Sequence, residues 1–544
     1  MEVANTLFLI FLFVFVDVSH QNTQVGYEIT PPAGQTLGQP WPMPKKFSQT
    51  KESWQLSQDT FRFSATGMSC DILDAAFERY FKLVFYEDRD SRLKFRPGSG
   101  LSAYMVDRLT VNVAEECSML YPHFQMDESY TLSVDATGAA LTSTTIWGAL
   151  RGLETFSQIV YQTAQGTFQV NSTMIDDAPR FSHRGILLDT SRHFLSVNVI
   201  KEHIEAMAQN KFNVFHWHIV DDNSFPYESP RFPDLSAKGA YDPFTHVYSQ
   251  ADIADIIEFS RLRGIRVIPE FDTPGHTQSW GKGQPGLLTP CYKDSKTPSG
   301  SYGPIDPTNN ATYDFLKDLL TELFKVFPDK YIHLGGDEVS FTCWASNPNI
   351  ATFMTKMGFG KDFSKLEQYY EQNLLNLIAG LKTGNEYIIW QEVIDNGCTV
   401  KPDTVVQVWK GGYQADMNKV TKLGYHTILS SPWYLNYISY GADWPKYYAI
   451  EPLDFNGTAA QEALVIGGEA CMWGEYVDDT NLIARMWPRA GAVGERLWSP
   501  KEVNDKNAAA PRIEEHRCRM LRRGLNVEPI NGPGYCKYEA RPNN

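Results

Sequence analysis

Two carboxylates stand side by side at Asp337 and Glu338, behind an apolar segment from Tyr331 to Leu334 and the glycine pair Gly335 and Gly336. Tyr331, Ile332 and Leu334 have the aromatic, β-branched and apolar bulk of a buried strand, and two glycines permit a tight turn or a close approach to a ligand. Acids at such a tip can move protons. The structural alternative is a helix N-cap, where a carboxylate accepts from free backbone N–H groups, and for an isolated Asp-Glu pair that is the commoner case. Company favours chemistry, because polar groups follow other apolar runs in the same way: Asp189 and Arg192, Asp221 and Asp222, Glu270, Asp272 and His276, Gln391 and Glu392, Trp409, Trp433 and Tyr434, and Trp473 and Glu475. Carboxylates beside Trp and Tyr suit a carbohydrate, whose C–H faces stack on rings and whose hydroxyls need polar partners. Glycoside hydrolysis is then the expected reaction. Two-carboxylate glycosidases set the pair about 5–9.5 Å apart across the scissile bond, whereas adjacent strand residues point to opposite faces. Asp337 and Glu338 are therefore expected to address different parts of one substrate, which would bring its own nucleophile.

Those tips need strands to carry them. After Asp177 the chain has eight apolar runs separated by helical stretches: GILL from 185, NVFHWHI from 213, RVIPEF from 266, YIHLG from 331, YIIW from 387, TVVQVW from 404, HTILS from 426 and LVIGG from 464. Near-continuous apolar runs are what strands buried on both faces look like, and alternation with helices such as 252–263 and 312–327 makes them βα units. The fold class is α/β: a closed (β/α)8 TIM barrel is predicted over residues 179–500, with its site at the C-terminal ends of the strands. Ahead of it, alternation over 130–134 and 139–141 precedes an amphipathic helix over 145–160, carrying Ile146, Leu150, Leu153 and Phe156. That pattern predicts a small α+β domain over 61–178. The Pro-, Gly- and Gln-rich stretch 21–60 lacks periodicity and reads as an extended lead-in outside any core. Residues 501–544 read as a helical tail tied by a disulfide.

A chain of 544 residues has room for a large barrel and an accessory domain. Its balance of 49 basic against 64 acidic residues, or −15, works against nucleic acid and anionic membrane as partners. Leu7 to Val16 form an apolar decapeptide too short to span a bilayer, followed by the small Ser19. This reads as a secretory signal over residues 1–20, although Glu2 stands where a basic residue is usual. No later segment reads as a membrane span. Eight cysteines include no CxxC pair of the kind that holds zinc or runs thiol exchange. In a secreted chain their order suggests the local bridges Cys70–Cys117, Cys291–Cys343 and Cys518–Cys536, with Cys398 and Cys471 as thiols; order alone leaves the connectivity open. Glycosylation sequons at Asn171, Asn310 and Asn456 fit the same compartment.

Taken together, LLDTSRHF (187–194), NVFHWHIVDD (213–222), EFDTPGH (270–276), HLGGDE (333–338), WQEV (390–393), SPWYLN (431–436) and GGEACMWGE (467–475) resemble the family-twenty glycoside hydrolases, specifically the lysosomal β-N-acetylhexosaminidase subunits. The likeness covers most of the chain. That family is a substrate-assisted exception to two-carboxylate hydrolysis. The resemblance implies removal of terminal N-acetylglucosamine or N-acetylgalactosamine with retention, through an oxazolinium intermediate. It implies Glu338 as general acid and then base, Asp337 as holder of the 2-acetamido N–H, and Tyr434 as donor to the acetamido oxygen. Trp390, Trp409 and Trp473 would enclose the N-acetyl group. Arg192 and Glu475 would bind sugar hydroxyls, Asn436 counts with these substrate-binding residues, and Asp221 with His276 would orient the acid. It further implies a dimer, of identical or related subunits, and a lysosomal destination with export as the alternative. No cofactor and no metal are expected. Asn436 is followed by Tyr437, where the subunit type that accepts anionic sugars resembles this site but carries a basic residue. Neutral substrates are therefore expected to react better than 6-sulfated ones.

Each role has a plainer competitor. Arg192 could simply pair with Asp189. His216 and His218 share a strand face and look at first like metal ligands, yet neutral core histidines are commoner and no matching ligand set accompanies them. Trp217 and Trp344 read as core, and Glu392 as a structural acceptor. Glu338 is expected to lie among aromatics, which would favour its protonated form and an acidic working pH. A non-catalytic sugar-binding subunit, a metal-dependent hydrolase and a two-carboxylate glycosidase are the rival readings.

Overall fold

The computed structural model describes residues 36–67, 69–86, 105–117, 120–163 and 166–536, so the segment read as a secretory signal lies outside the described residues. The apolar runs become the strands of one ring: β1 (His183–Asp189), β2 (Val214–Val220), β3 (Arg266–Phe271), β4 (Tyr331–His333), β5 (Glu386–Trp390), β6 (Val405–Val408), β7 (His426–Leu429) and β8 (Val465–Met472). Neighbours are parallel, and the ring closes where β8 pairs with β1, Gly467 opposite His183. Helices cover the outside, so both faces of each strand are buried and little alternation shows in the sequence.

Inside, the period of two survives as layers. Val214, Ile268, Ile388, Val405 and Ile428 form an apolar floor at the N-terminal ends of the strands. Two residues further along β2, β3 and β6 come His216, Glu270 and Gln407, which with Glu469 of β8 make a buried polar layer. Trp390 stands in the same layer and donates its indole N–H to Glu270 Oε1 at 2.8 Å.

The N-terminal domain is a sheet ordered Lys46–Leu56, Phe168–Asp177, Tyr130–Asp135, Gly138–Ser143, Arg108–Val113, Arg62–Thr66, with Val160–Gln162 beside Phe168–Asp177. Helices Asp71–Val84 and Ile146–Ile159 share its core. The second starts where the Thr145 hydroxyl accepts from the Gly148 N–H, a standard N-cap. One expectation fails here. The described part of the stretch 21–60, residues 36–60, is not a lead-in outside the core, because Lys46–Leu56 is an edge strand antiparallel to Phe168–Asp177, and Trp41 and Trp54 are buried. Apart from Phe47, which packs on the core, the strand's residues up to Ser53 are polar, and only the last three are fully buried, so one apolar residue is too little to mark it.

Glu128 joins the two domains, accepting from Arg151 Nε at 2.8 Å, Arg184 Nη2 at 2.7 Å and Asn213 Nδ2 at 3.1 Å, all buried. The start of the described chain is clasped by its end. Gly38 N donates to Glu515 Oε1 at 2.7 Å on helix Lys506–Arg522, and the Trp41 indole to the Gly491 carbonyl at 3.0 Å. Disulfides link Cys70 to Cys117, Cys291 to Cys343 and Cys518 to Cys536, and Cys398 and Cys471 are buried thiols. The second bridge ties the hairpin Leu288–Tyr292/Pro298–Ile305 to helix Phe341–Ser346. Asn310 and Asn456 are exposed, whereas Asn171 is half-buried with Oδ1 accepting from the Tyr161 hydroxyl. No helix among the described residues is long and apolar enough to cross a membrane.

Candidate active site

β4 stops at His333, and the chain then turns through positive φ at Gly335 (+73°), Gly336 (+96°) and Glu338 (+51°). A Cβ on Gly335 would lie 1.6 Å from Asp272 Oδ1, and the Gly336 N–H donates to that same oxygen at 2.8 Å. The glycine pair thus lets the tip fold onto Asp272. Asp337 and Glu338 are not N-caps, since the following helix is capped by position Ser340. Nor do they lie on a strand, so the expected separation onto opposite faces does not hold. Both carboxyls face His276, whose Nε2 is 3.7 Å from Asp337 Oδ2 and 3.5 Å from Glu338 Oε2.

The two acids differ in environment. Asp337 is buried, and desolvation pushes it up to about 6 against the pull of His276. Asp272 is driven well above the carboxylate range by burial and by the charge of Asp337; atoms of Asp272, His276 and Asp337 lie within 4.8 Å of one another. The Glu338 side chain is 58% exposed, which corrects the expectation of burial among aromatics: the left-handed backbone turns it away from the ring of tryptophans. The His276 ring, 3.5 Å away, holds Glu338 below its ordinary value. Burial disfavours the His276 imidazolium, yet its hydrogen bond to Asp221 Oδ1, at 3.2 Å, and the surrounding carboxylates raise it far above a free histidine.

Arg192 does pair with Asp189, at 3.2 Å, but its other nitrogen reaches Asp221 Oδ2 at 2.8 Å and its guanidinium lies 5.1 Å over the Trp473 ring. Trp390, Trp409, Trp473 and Tyr434 cluster around Leu187 and Cys471. Trp409 stacks on Tyr434 at 6.5 Å, and Trp473 stands 6.1 Å from Trp390. Burial drives the Tyr434 phenol well up, keeping it a donor. Asp337 Oδ1, Trp409 Nε1 and Asn436 Oδ1 are buried without a hydrogen-bond partner in the protein, a set that a bound amide and hydroxyls could satisfy. Glu475 is exposed at the rim beyond β8, and Tyr437 stacks on Tyr434 at 6.2 Å. Trp217 and Trp344 are core.

His216 and His218 are not neutral core histidines. His216 lies 2.8 Å from Glu469 and 3.0 Å from Glu270, and His218 2.6 Å from Glu270 and 2.8 Å from Asp221. Burial opposes the charge, but these acids push His216 up to about 9 and hold His218 well above the ordinary histidine value. A ligand set does accompany His216, against expectation: its ring, the Glu270 carboxylate and the His333 ring bring ligand atoms within 4.8 Å of one another. His218 couples the polar layer to Asp221, and through it to His276.

Asp272 and Glu270 carried no assigned role in the sequence, and Glu392 only that of a structural acceptor. Asp272 shapes the tip, Glu270 holds Trp390 and His218, and Glu392 accepts from the Glu338 N–H. Their position at strand ends was a visible signal; their partners, far away in sequence, were not. Beside Glu338 and His276 opens a cleft of about 550 Å³, lined by Gln278, Lys293, Tyr302, Ser340 and the Cys291–Cys343 bridge. The tryptophan cluster is not part of it.

Residues 181–501 match the glycosyl hydrolase family 20 catalytic domain, and residues 40–159 a beta-acetyl hexosaminidase-like domain. The chain is 52% identical to beta-hexosaminidase subunit beta of Felis catus over 92% of this chain and 94% of that one. It is 51% identical to beta-hexosaminidase subunit alpha of Rattus norvegicus, over 92% and 95%. A chitobiase from Flavobacterium johnsoniae superposes with a TM-score of 0.76 at 29% identity, covering 90% of this chain and 73% of that one. With this barrel, this strand-end constellation and these relatives, the chain belongs to glycosyl hydrolase family 20.

Proposed function

We propose that this β-N-acetylhexosaminidase releases terminal N-acetylglucosamine and N-acetylgalactosamine with retention, the sugar's own 2-acetamido oxygen acting as nucleophile. One observation carries the reading: a buried Asp337 and a solvent-facing Glu338 share His276 beside a wall of aromatic rings. In the first step the acetamido oxygen attacks C1, the C1–O bond to the leaving group breaks, and Glu338 gives its proton to the departing oxygen. Asp337 accepts from the acetamido N–H and balances the positive charge of the oxazolinium, while Tyr434 donates to the acetamido oxygen. Trp390, Trp409 and Trp473 confine the N-acetyl group to the attacking geometry. Water then adds to C1, losing its proton to Glu338, and the acetamido group is restored. Arg192, Asn436 and Glu475 hold the sugar's hydroxyls, and Asp221 with His276 orients Glu338. The leaving group departs toward the cleft on the Glu338 side. The same proposal includes a dimer, a lysosomal address and glycans on the sequons.

A substrate panel tests it. A 2-hydroxyl in place of the 2-acetamido group should abolish turnover, and a thiazoline mimic of the cyclic intermediate should inhibit. Comparable rates on both sugars, or an enzyme–sugar ester trapped on a side chain, would overturn the mechanism. In the same panel 6-sulfated substrate should react more slowly than neutral substrate, because Tyr437 offers no cation.

A further inference from the structure

Glu338 has a backbone conformation that side chains bearing a Cβ seldom adopt, with φ +51°. Such a residue relaxes unless its surroundings hold it. Its N–H donates to Glu392 Oε2 at 2.5 Å, across from the tip of β4 to the turn after β5. The other carboxylate oxygen of Glu392 takes Lys410 Nζ at 2.6 Å, and Lys410 also reaches Asp395 Oδ2 at 3.5 Å. Next to Glu392, Gln391 Oε1 accepts from the backbone N–H groups of Trp409 and Lys410 at 2.9 and 3.1 Å, which stitches the ends of β5 and β6 together. The Glu392 side chain is only 14% exposed, and its bond to the amide of Glu338, at the solvent-facing tip, is charge-assisted.

We infer that Glu392, braced by Lys410, is a positioning residue for the acid: it fixes the left-handed backbone of Glu338 and thereby aims the Glu338 carboxyl at the glycosidic oxygen. This rests on Glu338 being the acid, as proposed above. Because Trp390 and Trp409 adjoin the same stitched turn, the clamp also sets the distance between that acid and two walls of the N-acetyl site.

Leaving-group acidity separates aim from mere support. We would measure kcat/KM on N-acetylglucosaminides of a sugar alcohol, which needs a proton to depart, and of 2,4-dinitrophenol, which does not. The enzymes are the wild type, Glu392→Ala, Glu392→Gln, Lys410→Met and Glu338→Gln. A misaimed acid costs about 100-fold, so Glu392→Ala should lose about that on the sugar alcohol and less than about threefold on dinitrophenyl. Glu392→Gln, which keeps the shape and one acceptor, should fall between wild type and Glu392→Ala, and Lys410→Met should show the same selectivity more weakly. Equal losses on both substrates in the near-isosteric Glu392→Gln, or no loss in Glu392→Ala, would overturn the clamp. If Glu338→Gln is itself indifferent to the leaving group, the acid assignment falls and the clamp with it. If Glu338→Gln is selective and Glu392→Ala is not, the clamp alone falls.

Discussion

His276 is where the charges of the site meet. Its imidazole faces Asp221, Asp272, Asp337 and Glu338, and its approach to Glu338 is the largest influence lowering that carboxyl. Removing it in His276→Ala should let Glu338 hold its proton to higher pH. The acid form then persists further, so the alkaline limb of kcat/KM against pH should move upward while the maximum rate falls. A limb that stays in place or moves down would show that another group sets it. Of the residues named from strand ends, Asp189, Arg192, Asp221, His276, Asp337 and Glu338 lie in one network, whereas Trp433 is buried in the core with its indole N–H on the Tyr447 carbonyl. Protonation was not legible from strand ends in the same way. The upward pull on His216 and His218 comes from Glu270 and Glu469, on other strands, and from Asp221, while Glu338 sits exposed at a positive φ. No local pattern encodes either.

Between the strands, the tip of β4 depends on Gly335. An alanine there meets two penalties: an L side chain at φ +73°, and a Cβ 1.6 Å from Asp272 Oδ1. Gly300, at φ +89° on an exposed hairpin with nothing near its missing Cβ, meets only the first. Each substitution should cost about 1 kcal/mol or more from the backbone alone. Urea unfolding and activity measured together separate the rest: Gly335→Ala should be the less stable and lose turnover, and Gly300→Ala should keep it. Equal behaviour would remove the packing argument for the glycine pair. At this scale the eight barrel strands were legible from their apolar runs. The edge strand Lys46–Leu56 was not, since between Phe47 and Trp54 it carries only polar residues.

At the level of the whole molecule, Glu128 holds the barrel to the domain before it. Burial opposes its charge, but Arg184 and Arg151 keep its carboxyl below the ordinary range. A depressed folded value means the contribution is complete above the unfolded carboxylate range, near pH 4.3, and fades only as pH falls through the lower folded value. The joint should therefore survive mild acid. Glu128→Ala would leave two buried guanidinium groups without their counter-charge, and should cost about 3–5 kcal/mol, read as a fall in unfolding free energy. A loss below about 1 kcal/mol would mean that carbonyl partners suffice for those arginines.

The clasp between Gly38 and Glu515 joins positions 477 residues apart. A growing polypeptide leaves the ribosome with that first stretch long before its distant partner exists, and β1 likewise waits for β8. Until β8 and the helix carrying Gly491 emerge, the nascent chain keeps two strand edges and Trp41 uncovered, an exposure that makes an unfinished chain prone to aggregate.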